Sequence, residues 1–218
     1  MGYKTVLRRS EIEFVEKKST FIGACKRVFS EEEARAFIDG IKAKYKDARH
    51  HVYAYTIGEN MNVQRYSDDG EPQGTGGIPI LEVLKKNDLR NVCVVVTRYF
   101  GGILLGAGGL TRAYVKGASD AVKASGIVKR VLGFEVDLHI EYDLLGKVQH
   151  YLREKQIETE EIEYTSEVTL KIFIEETALP ILKSDIVNLT SSHARISVSD
   201  ASLYYKMEQR LYKEFEEG

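Results

Sequence analysis

The sequence predicts an α+β protein of two domains, residues 1–132 and 133–218. The chain of 218 residues is long enough to bury one or two hydrophobic cores. Strand-like and helix-like segments follow one order in the first half and a different order in the second. Net charge changes at the same place, since residues 1–133 carry 22 Lys and Arg against 15 Asp and Glu, whereas residues 134–218 carry 9 against 18. The two halves therefore have net charges of +7 and −9. This asymmetry indicates either a basic domain that faces a polyanion or two domains with solvated charge.

The apolar segments exclude several classes of protein. No apolar run reaches the ~18 residues of a membrane span. The N-terminus lacks the apolar stretch of a secretory signal, so we expect a cytoplasmic protein. Cys25 and Cys93 lie in apolar runs and are interpreted as small buried side chains. Neither belongs to a CxxC pair, so we expect no disulfide framework, zinc site or redox site.

The first half predicts three helices and two hairpins. The first hairpin turns near Lys17-Lys18, and the second turns around Glu59-Asn60. Ser30 and Glu33 form a capping box that starts the first helix. The second helix starts near Ile78-Pro79. An unbroken apolar run at 91–100 is typical of a strand buried on both faces, and a third helix follows over 110–125.

The second half predicts the order βαββαβ. Asp143 is the expected N-cap of its first helix, and Pro180 is tolerated in the first turn of the second. A charged amphipathic tail, which we expect to be helical, follows the last strand. The order is that of a ferredoxin-like domain. The predicted segments are a strand at 132–140, a helix at 143–155, strands at 157–164 and 167–176, a helix at 177–191 and a strand at 194–205.

Ten of the 18 glycines fall between Gly70 and Gly117, in two loops that each lead into a helix. Exposed backbone amides at a helix N-terminus favour an anion. The alternative is a pair of tight turns with close helix packing. No Walker A sequence is present, and a dinucleotide fingerprint that starts at Gly106 fails because position 111 is Thr. A non-standard phosphate site completed by Thr111 or Arg112 stays open.

Cations and aromatic residues lie near these loops. Arg112, Lys116, Ser119 and Lys123 recur at helical spacing and share one face. Arg98 lies at the end of a predicted strand and Arg65 in the preceding hairpin, so we expect these cations to converge near the loops. Aromatic rings interleaved with arginines suit stacking on unpaired bases. Alternatively, the helix face is only solvated and the tyrosines are packed. The aromatic residues next to these arginines are Tyr66, Tyr99 and Phe100.

Polar clusters elsewhere do not identify a reaction. His50 and His51 are adjacent in a strand, so their side chains point to opposite faces and cannot share a metal. Asp68, Asp69 and Glu71 either hold magnesium beside a bound phosphate or cap the next helix. We assign no catalytic residue, no metal site and no cofactor.

Three blocks of the sequence resemble a known family. SDDGEPQGTGGIPIL (67–81), VVVTRYFGGILLGAGGLTRAY (94–114) and HHVYAYTIG (50–58) are similar to the signature of the IMPACT family, whose bacterial members are of the YigZ type. The resemblance implies an N-terminal domain like domain 2 of ribosomal protein S5. It also implies a C-terminal ferredoxin-like domain resembling the last domain of elongation factor G.

The resemblance further implies a translation-related regulator or a nucleic-acid-binding protein, with no accepted enzymatic activity. Its functional surface lies on the loops of the N-terminal domain. Carried onto this chain, that surface comprises Arg65, Asp68, Asp69, Glu71, Gln73, Gly74, Thr75, Arg98, Tyr99, Gly101, Gly102, Gly106 and Arg112.

Three functions remain open at this stage. The first is an RNA- or ribosome-binding protein that uses the basic N-terminal domain. The second is a phosphate- or nucleotide-dependent enzyme, because the S5-type fold is shared with small-molecule kinases and GILLGAGGLTRA is loosely similar to their phosphate loop. In that enzyme Arg112 steadies phosphate and Asp68 or Asp69 holds magnesium. The third is an interaction module for a translation factor. The sequence predicts no oligomeric state.

Overall fold

A computed structural model describes residues 2–213 as a mixed α/β chain with five helices and two sheets. The chain divides into two compact units. One comprises Tyr3–Val128, and the other comprises Gly2 and the described residues from Lys129 onward. Among residues 2–213, no helix combines the length and the apolar character needed to cross a membrane.

The N-terminal unit is a five-stranded antiparallel sheet with helices on both faces. The strand order is β2-β3-β6-β4-β5. Helices α2 and α3 pack on one face, and α1 packs on the other. The elements are β1 (Tyr3–Val6), β2 (Ser10–Glu16), β3 (Ser19–Arg27), α1 (Glu31–Lys44), β4 (His50–Ile57), β5 (Val63–Ser67), α2 (Gly77–Lys86), β6 (Val92–Tyr99) and α3 (Ala107–Ser125).

Local sequence signals explain most of these elements. The hydroxyl of Ser30 accepts a hydrogen bond from the Glu33 amide at 3.2 Å, so the predicted cap of α1 is confirmed. In β6, Val94 and Val96 face α2 and α3, while Cys93 and Val95 face α1. The prediction that this strand is buried on both faces is therefore confirmed.

The C-terminal unit has the element order βαββαβ and a further hairpin. Strand β7 (Ile127–Ile140) is central, with β9 on one side and both β10 and β11 on the other. The other elements are α4 (Leu145–Glu154), β8 (Thr159–Tyr164), β9 (Val168–Glu175), α5 (Leu179–Leu189), β10 (Arg195–Val198), β11 (Ser202–Met207) and β12 (Arg210–Tyr212).

Three predictions for the C-terminal unit are wrong. Asp143 lies inside a 3-10 turn, Tyr142–Leu144, and makes no capping hydrogen bond to α4. The single strand predicted at 194–205 is two strands, β10 and β11, which pair with successive parts of β7. The start of the predicted helical tail is instead strand β12, paired with β11. The rest of that tail, residues 214–218, lies outside the described residues.

Candidate nucleic-acid interface

One end of the N-terminal sheet gathers both glycine-rich loops. Because the strands are antiparallel, the end of β6 lies beside the beginnings of β3 and β4. Arg98 of β6 is the register partner of His50 in β4. The end of β5 lies beside the first half of β4, at the same end of the sheet. The loops that follow β5 and β6, residues 68–76 and 100–106, therefore leave the sheet side by side.

The first loop is closed around the carboxylate of Asp68. Its Oδ2 accepts from the amide of Gly74 at 2.8 Å. Its Oδ1 accepts from the amides of Gly76 and Gly77 at 3.0 and 2.8 Å. Asp68 thus binds the amides of Gly76 and Gly77 at the N-terminus of α2, so its interpretation as the cap of the next helix is confirmed. The expectation that these amides are open to a ligand is wrong for this loop.

Asp69 holds the start of β4. Its Oδ2 accepts from the His51 amide at 2.6 Å, and its Oδ1 lies 3.6 Å from Nζ of Lys42. The ring of His50 donates from Nδ1 to the Asp69 carbonyl oxygen at 2.8 Å. The ring of His51 is buried beside Thr97, and burial lowers its pKa, with Lys42 and His50 lowering it further against the opposing charge of Asp69.

Glu71 joins the two loops inside the unit. Its Oε1 accepts from Nη1 of Arg98 at 2.7 Å and from the hydroxyl of Tyr114 in α3 at 2.8 Å. Burial and the charge of Glu71 raise the pKa of Tyr114. Arg98, predicted as one of the nucleic-acid-binding residues, has a side chain that is only 6% exposed and is paired with this carboxylate. Arg98 and Glu71 instead form the floor between the loops.

The second loop ends in an open helix N-terminus. Its beginning is fixed, because the amide of Gly101 donates to the Ser19 hydroxyl at 3.2 Å and Gly101 packs against the backbone of Lys18. Gly106 is the N-cap of α3 with φ of 71°, and no side chain among residues 2–213 caps the helix. Ala107 and the neighbouring glycines are exposed, and the first turn contains no acidic residue. The positive end of α3 is therefore available to an anion.

A cavity of about 370 Å³ lies at this helix end, and we call it the α3 cleft. Both loops and the start of β4 contribute to it. The exposed fractions of Phe100 and Leu104 on its rim are 45% and 83%. Its polar lining comprises Arg49, His50, Glu71 and Arg98, its backbone lining Gly106 and Ala107, and its apolar lining Pro72, Phe100, Leu104, Leu105 and Leu110.

The other predicted residues lie outside the α3 cleft. Arg65 and Tyr66 are exposed on β5, and the Arg65 guanidinium is 3.8 Å from Oε1 of Glu31. The hydroxyl of Thr75 donates to the Pro72 carbonyl at 2.6 Å. Gln73 and Gly102 are exposed, and Tyr99 is partly buried.

A second cavity, of about 190 Å³, lies along α3 and contains Arg112 and Lys116. Both side chains are exposed, and Lys17 of the β2–β3 turn lines the same cavity. Lys116 pairs with Asp120 one turn further along the helix. Arg112 is thus a surface cation one turn from the α3 cleft.

Sequence reasoning missed two features of the α3 cleft. It considered His50 only as a metal ligand, and it gave no role to Arg49 or Leu104. The available signal was strand order, because the start of β4 lies beside the end of β6 once the two strands are paired. In the described part of the chain, no group of three or more His, Cys, Asp or Glu residues is arranged to hold a metal ion.

The fold and site define an α+β protein of two units whose first unit carries an open, cation-lined helix N-terminus. Residues 17–122 match the Impact N-terminal domain, and residues 138–192 match a domain of unknown function (DUF1949). The chain belongs to the IMPACT family.

Two bacterial relatives span most of the chain, and a eukaryotic relative spans less than half of it. The IMPACT family member YvyE of Bacillus subtilis (strain 168) is 43% identical over 205 residues, which are 94% of each protein. The IMPACT family member YigZ of Escherichia coli (strain K12) is 36% identical over 77% of this chain and 80% of that protein. The Protein IMPACT homolog of Saccharomyces cerevisiae is 34% identical over 94 residues, 42% of this chain and 36% of that protein.

A solved structure is similar over most of the chain. It is described as the crystal structure of an hypothetical protein, and it has 28% sequence identity and a TM-score of 0.58. The similarity covers 89% of this chain and 96% of the other.

Proposed function

We propose that the chain is a translation-related RNA-binding protein that contacts RNA, on the ribosome or free, through the N-terminal unit. The observation that carries this proposal is the open N-terminus of α3 in a cleft lined by Arg49 and His50. Backbone amides, a guanidinium and an imidazole suit phosphate oxygens. The net charge of +7 in residues 1–133 favours association with a polyanion.

The aromatic and cationic residues around the α3 cleft suit a single strand. Phe100 is half exposed beside the open helix end, so its ring can stack on an unpaired base. Arg112 and Lys116 extend the cationic surface along α3. Gly74 and Thr75 are not part of the proposed contact surface, because their contacts lie within the first loop. Gln73 lies outside the α3 cleft, and Arg98 lines its floor.

The fold assignment extends the same proposal. A five-stranded sheet with helices on both faces is consistent with a domain like domain 2 of ribosomal protein S5. In the second unit, the antiparallel order β10-β7-β9-β8 together with βαββαβ connectivity is consistent with a ferredoxin-like domain. Its net acidic charge would limit indiscriminate binding to polyanions. A cytoplasmic location accords with this role.

The enzymatic alternative lacks a favouring observation. The two carboxylates that it needs for magnesium are engaged elsewhere: Asp68 by three amides and Asp69 by the His51 amide and Lys42. One observation favours the third function, an interaction module for a translation factor. Leu104 is 83% exposed, and Ile103 next to it is 40% exposed. Exposed apolar residues that adjoin in this way suit a protein partner.

The test is a binding titration of labelled single-stranded RNA and of purified ribosomes at two salt concentrations. We expect affinity to fall steeply with salt, because neutralised phosphates release counterions. Arg112→Gln should weaken binding to all RNA sequences alike and reduce the salt dependence. Arg35→Gln is the matched control, since Arg35 lies on α1 with its side chain 70% exposed.

Two results would contradict the proposal. The first is no binding of either RNA or ribosomes at low salt. The second is binding that Arg35→Gln and Arg112→Gln weaken equally, because net charge rather than this surface would then explain it. Copurification with and without nuclease treatment separates a protein partner, which survives nuclease, from direct RNA contact.

A further inference from the structure

We infer that the α3 cleft holds the phosphorylated end of an RNA strand, a nucleotide carrying a phosphomonoester. This inference rests on the proposed function and names the part of the RNA that the cleft takes. The cavity of about 370 Å³ is at the low end of the range for small-molecule sites, about 300–1,000 Å³. Its size therefore suits one nucleotide rather than a longer segment of strand.

The first support is a contrast among the three helices of the N-terminal unit. The N-terminus of α1 is capped by Ser30 and carries three glutamates in its first turn. The N-terminus of α2 is closed by Asp68. The 19-residue helix α3 has neither a capping side chain nor an acidic residue in its first turn. Of these three helix N-termini in the described structure, that of α3 therefore has amide donors left for an external anion.

The second support is the geometry of His50. Since the Asp69 carbonyl can only accept, Nδ1 of His50 carries the proton of that 2.8 Å hydrogen bond. In the neutral ring Nε2 then has a lone pair, and in the charged ring it is a donor. Arg49, which precedes it, lines the same cavity. The charged ring therefore suits a phosphate oxygen, which accepts from Nε2.

The third support is the floor of the cleft. Arg98 is 5% exposed, and its Nε has no hydrogen-bond partner in the described structure. Glu71 is the one carboxylate among the described residues that line the α3 cleft. Its Oε1 already accepts hydrogen bonds from Arg98 and Tyr114. The negative charge of Glu71 is therefore compensated, and the groups of the cleft that remain for a ligand are cationic, donating or apolar.

These groups fit a monoester better than a diester. A terminal phosphate carries about −1.5 to −2 charges near pH 7 and three acceptor oxygens. An internal phosphodiester carries one charge and two unesterified oxygens. The helix amides, Arg49 and His50 offer three separate donor groups, one for each terminal oxygen. The base then packs on the ring of Phe100 at the rim.

The experiment compares three versions of one short RNA oligonucleotide: 5′-phosphorylated, 3′-phosphorylated and unphosphorylated. Affinities are measured for the full chain at pH 7.0. We expect one phosphorylated form to bind about tenfold more tightly than the unphosphorylated form, since charge-assisted hydrogen bonds are replaced by weaker ones. The preferred form identifies which end of the strand the cleft takes.

The variants are His50→Gln, Phe100→Ala and, as the matched control, His150→Gln, whose side chain is 68% exposed on α4. We expect His50→Gln to abolish most of the preference for phosphate. The charged groups near His50 are Arg49, Glu71, Arg98, Lys42 and Asp69, and of these the two carboxylates are paired with cations.

The outcomes separate this inference from the proposed function. Equal affinity for all three oligonucleotides overturns the inference and leaves RNA binding intact. A preference that His50→Gln leaves unchanged also overturns it, because the phosphate then lies elsewhere. No binding of any form overturns both. A phosphate preference that His50→Gln removes and His150→Gln retains supports it.

Discussion

Glu71 and Arg98 form a buried ion pair, with Oε1 of the carboxylate 2.7 Å from Nη1 of the guanidinium, although 27 residues separate them in the chain. The pair connects the loop before α2 to the end of β6, and the hydroxyl of Tyr114 binds the same carboxylate oxygen from α3. The two glycine-rich loops are therefore held together by side chains from beneath, and the surface that they present depends on this contact.

Removing one partner of this pair should destabilise the protein strongly. Glu71→Gln leaves the buried charge of Arg98 without a counter-ion, which costs about 3–5 kcal/mol in comparable cases. The double variant Glu71→Gln/Arg98→Met removes both charges, so its loss should be smaller than the sum of the losses of the single variants Glu71→Gln and Arg98→Met. Urea denaturation of the four proteins measures the coupling. Strict additivity would show that the two side chains act independently.

Asp68→Ala should remove the cap of α2. Three amides lose their acceptor, so we expect a loss near the upper end of the about 0.5–2 kcal/mol found for caps. The control is Asp39→Ala, an exposed carboxylate on α1 whose loss should change stability by no more than about 0.5 kcal/mol. Thermal or urea unfolding of both variants checks this. A similar small effect for both would mean that Asp68 does not hold the loop.

Gly101→Ala should displace the second loop. A Cβ at this position would overlap the carbonyl of Lys18, so the loop must move, at a cost of about 1–3 kcal/mol. Gly40→Ala is the matched control, because a Cβ there has open space and lies within α1. Gly40→Ala should stabilise by about 0.5–1 kcal/mol. Unfolding midpoints that shift in the same direction for both variants would contradict this assignment.

The buried ring of His51 should make stability fall at mildly acidic pH. Its pKa is lowered in the folded protein, whereas the unfolded chain takes up the proton near about 6.5. The unfolded state therefore binds more protons below about pH 6.5, and stability decreases from there down to the folded pKa. Urea unfolding at pH 7.5 and 5.5 measures the decrease.

The variant His51→Gln should lose part of this pH dependence, and the exposed His150→Gln should keep all of it. If the free energy of unfolding depends on pH equally in the wild type and in His51→Gln, groups other than His51 cause the dependence.

Local signals predicted much of the fold. The Ser30 cap, the hairpin turn at Lys17-Lys18 and the doubly buried strand β6 follow from near neighbours in the sequence, because capping, turn geometry and burial patterns act over a few residues. β1 and the division between β10 and β11 were missed, since short strands are set by pairing with distant partners.

The site was predicted less completely for the same reason. The glycine loops were found, but the sequence does not show that Asp68 closes one of them or that Arg98 is paired with Glu71. Both facts depend on contacts across the folded sheet. The basic residues that matter most in the α3 cleft, Arg49 and His50, adjoin the loops only through the register of β4 with β6.

The register that brings His50 beside Arg98 also bears on folding kinetics. No short segment of the chain forms the α3 cleft by itself, because its lining residues lie between positions 49 and 110. They come together only when several long loops of the chain have closed. Such non-local contacts slow folding, as loop-closure entropy is lost before the contacts form. A peptide carrying only the second glycine loop should therefore not reproduce the site, and the complete cleft should form late, with the assembled sheet.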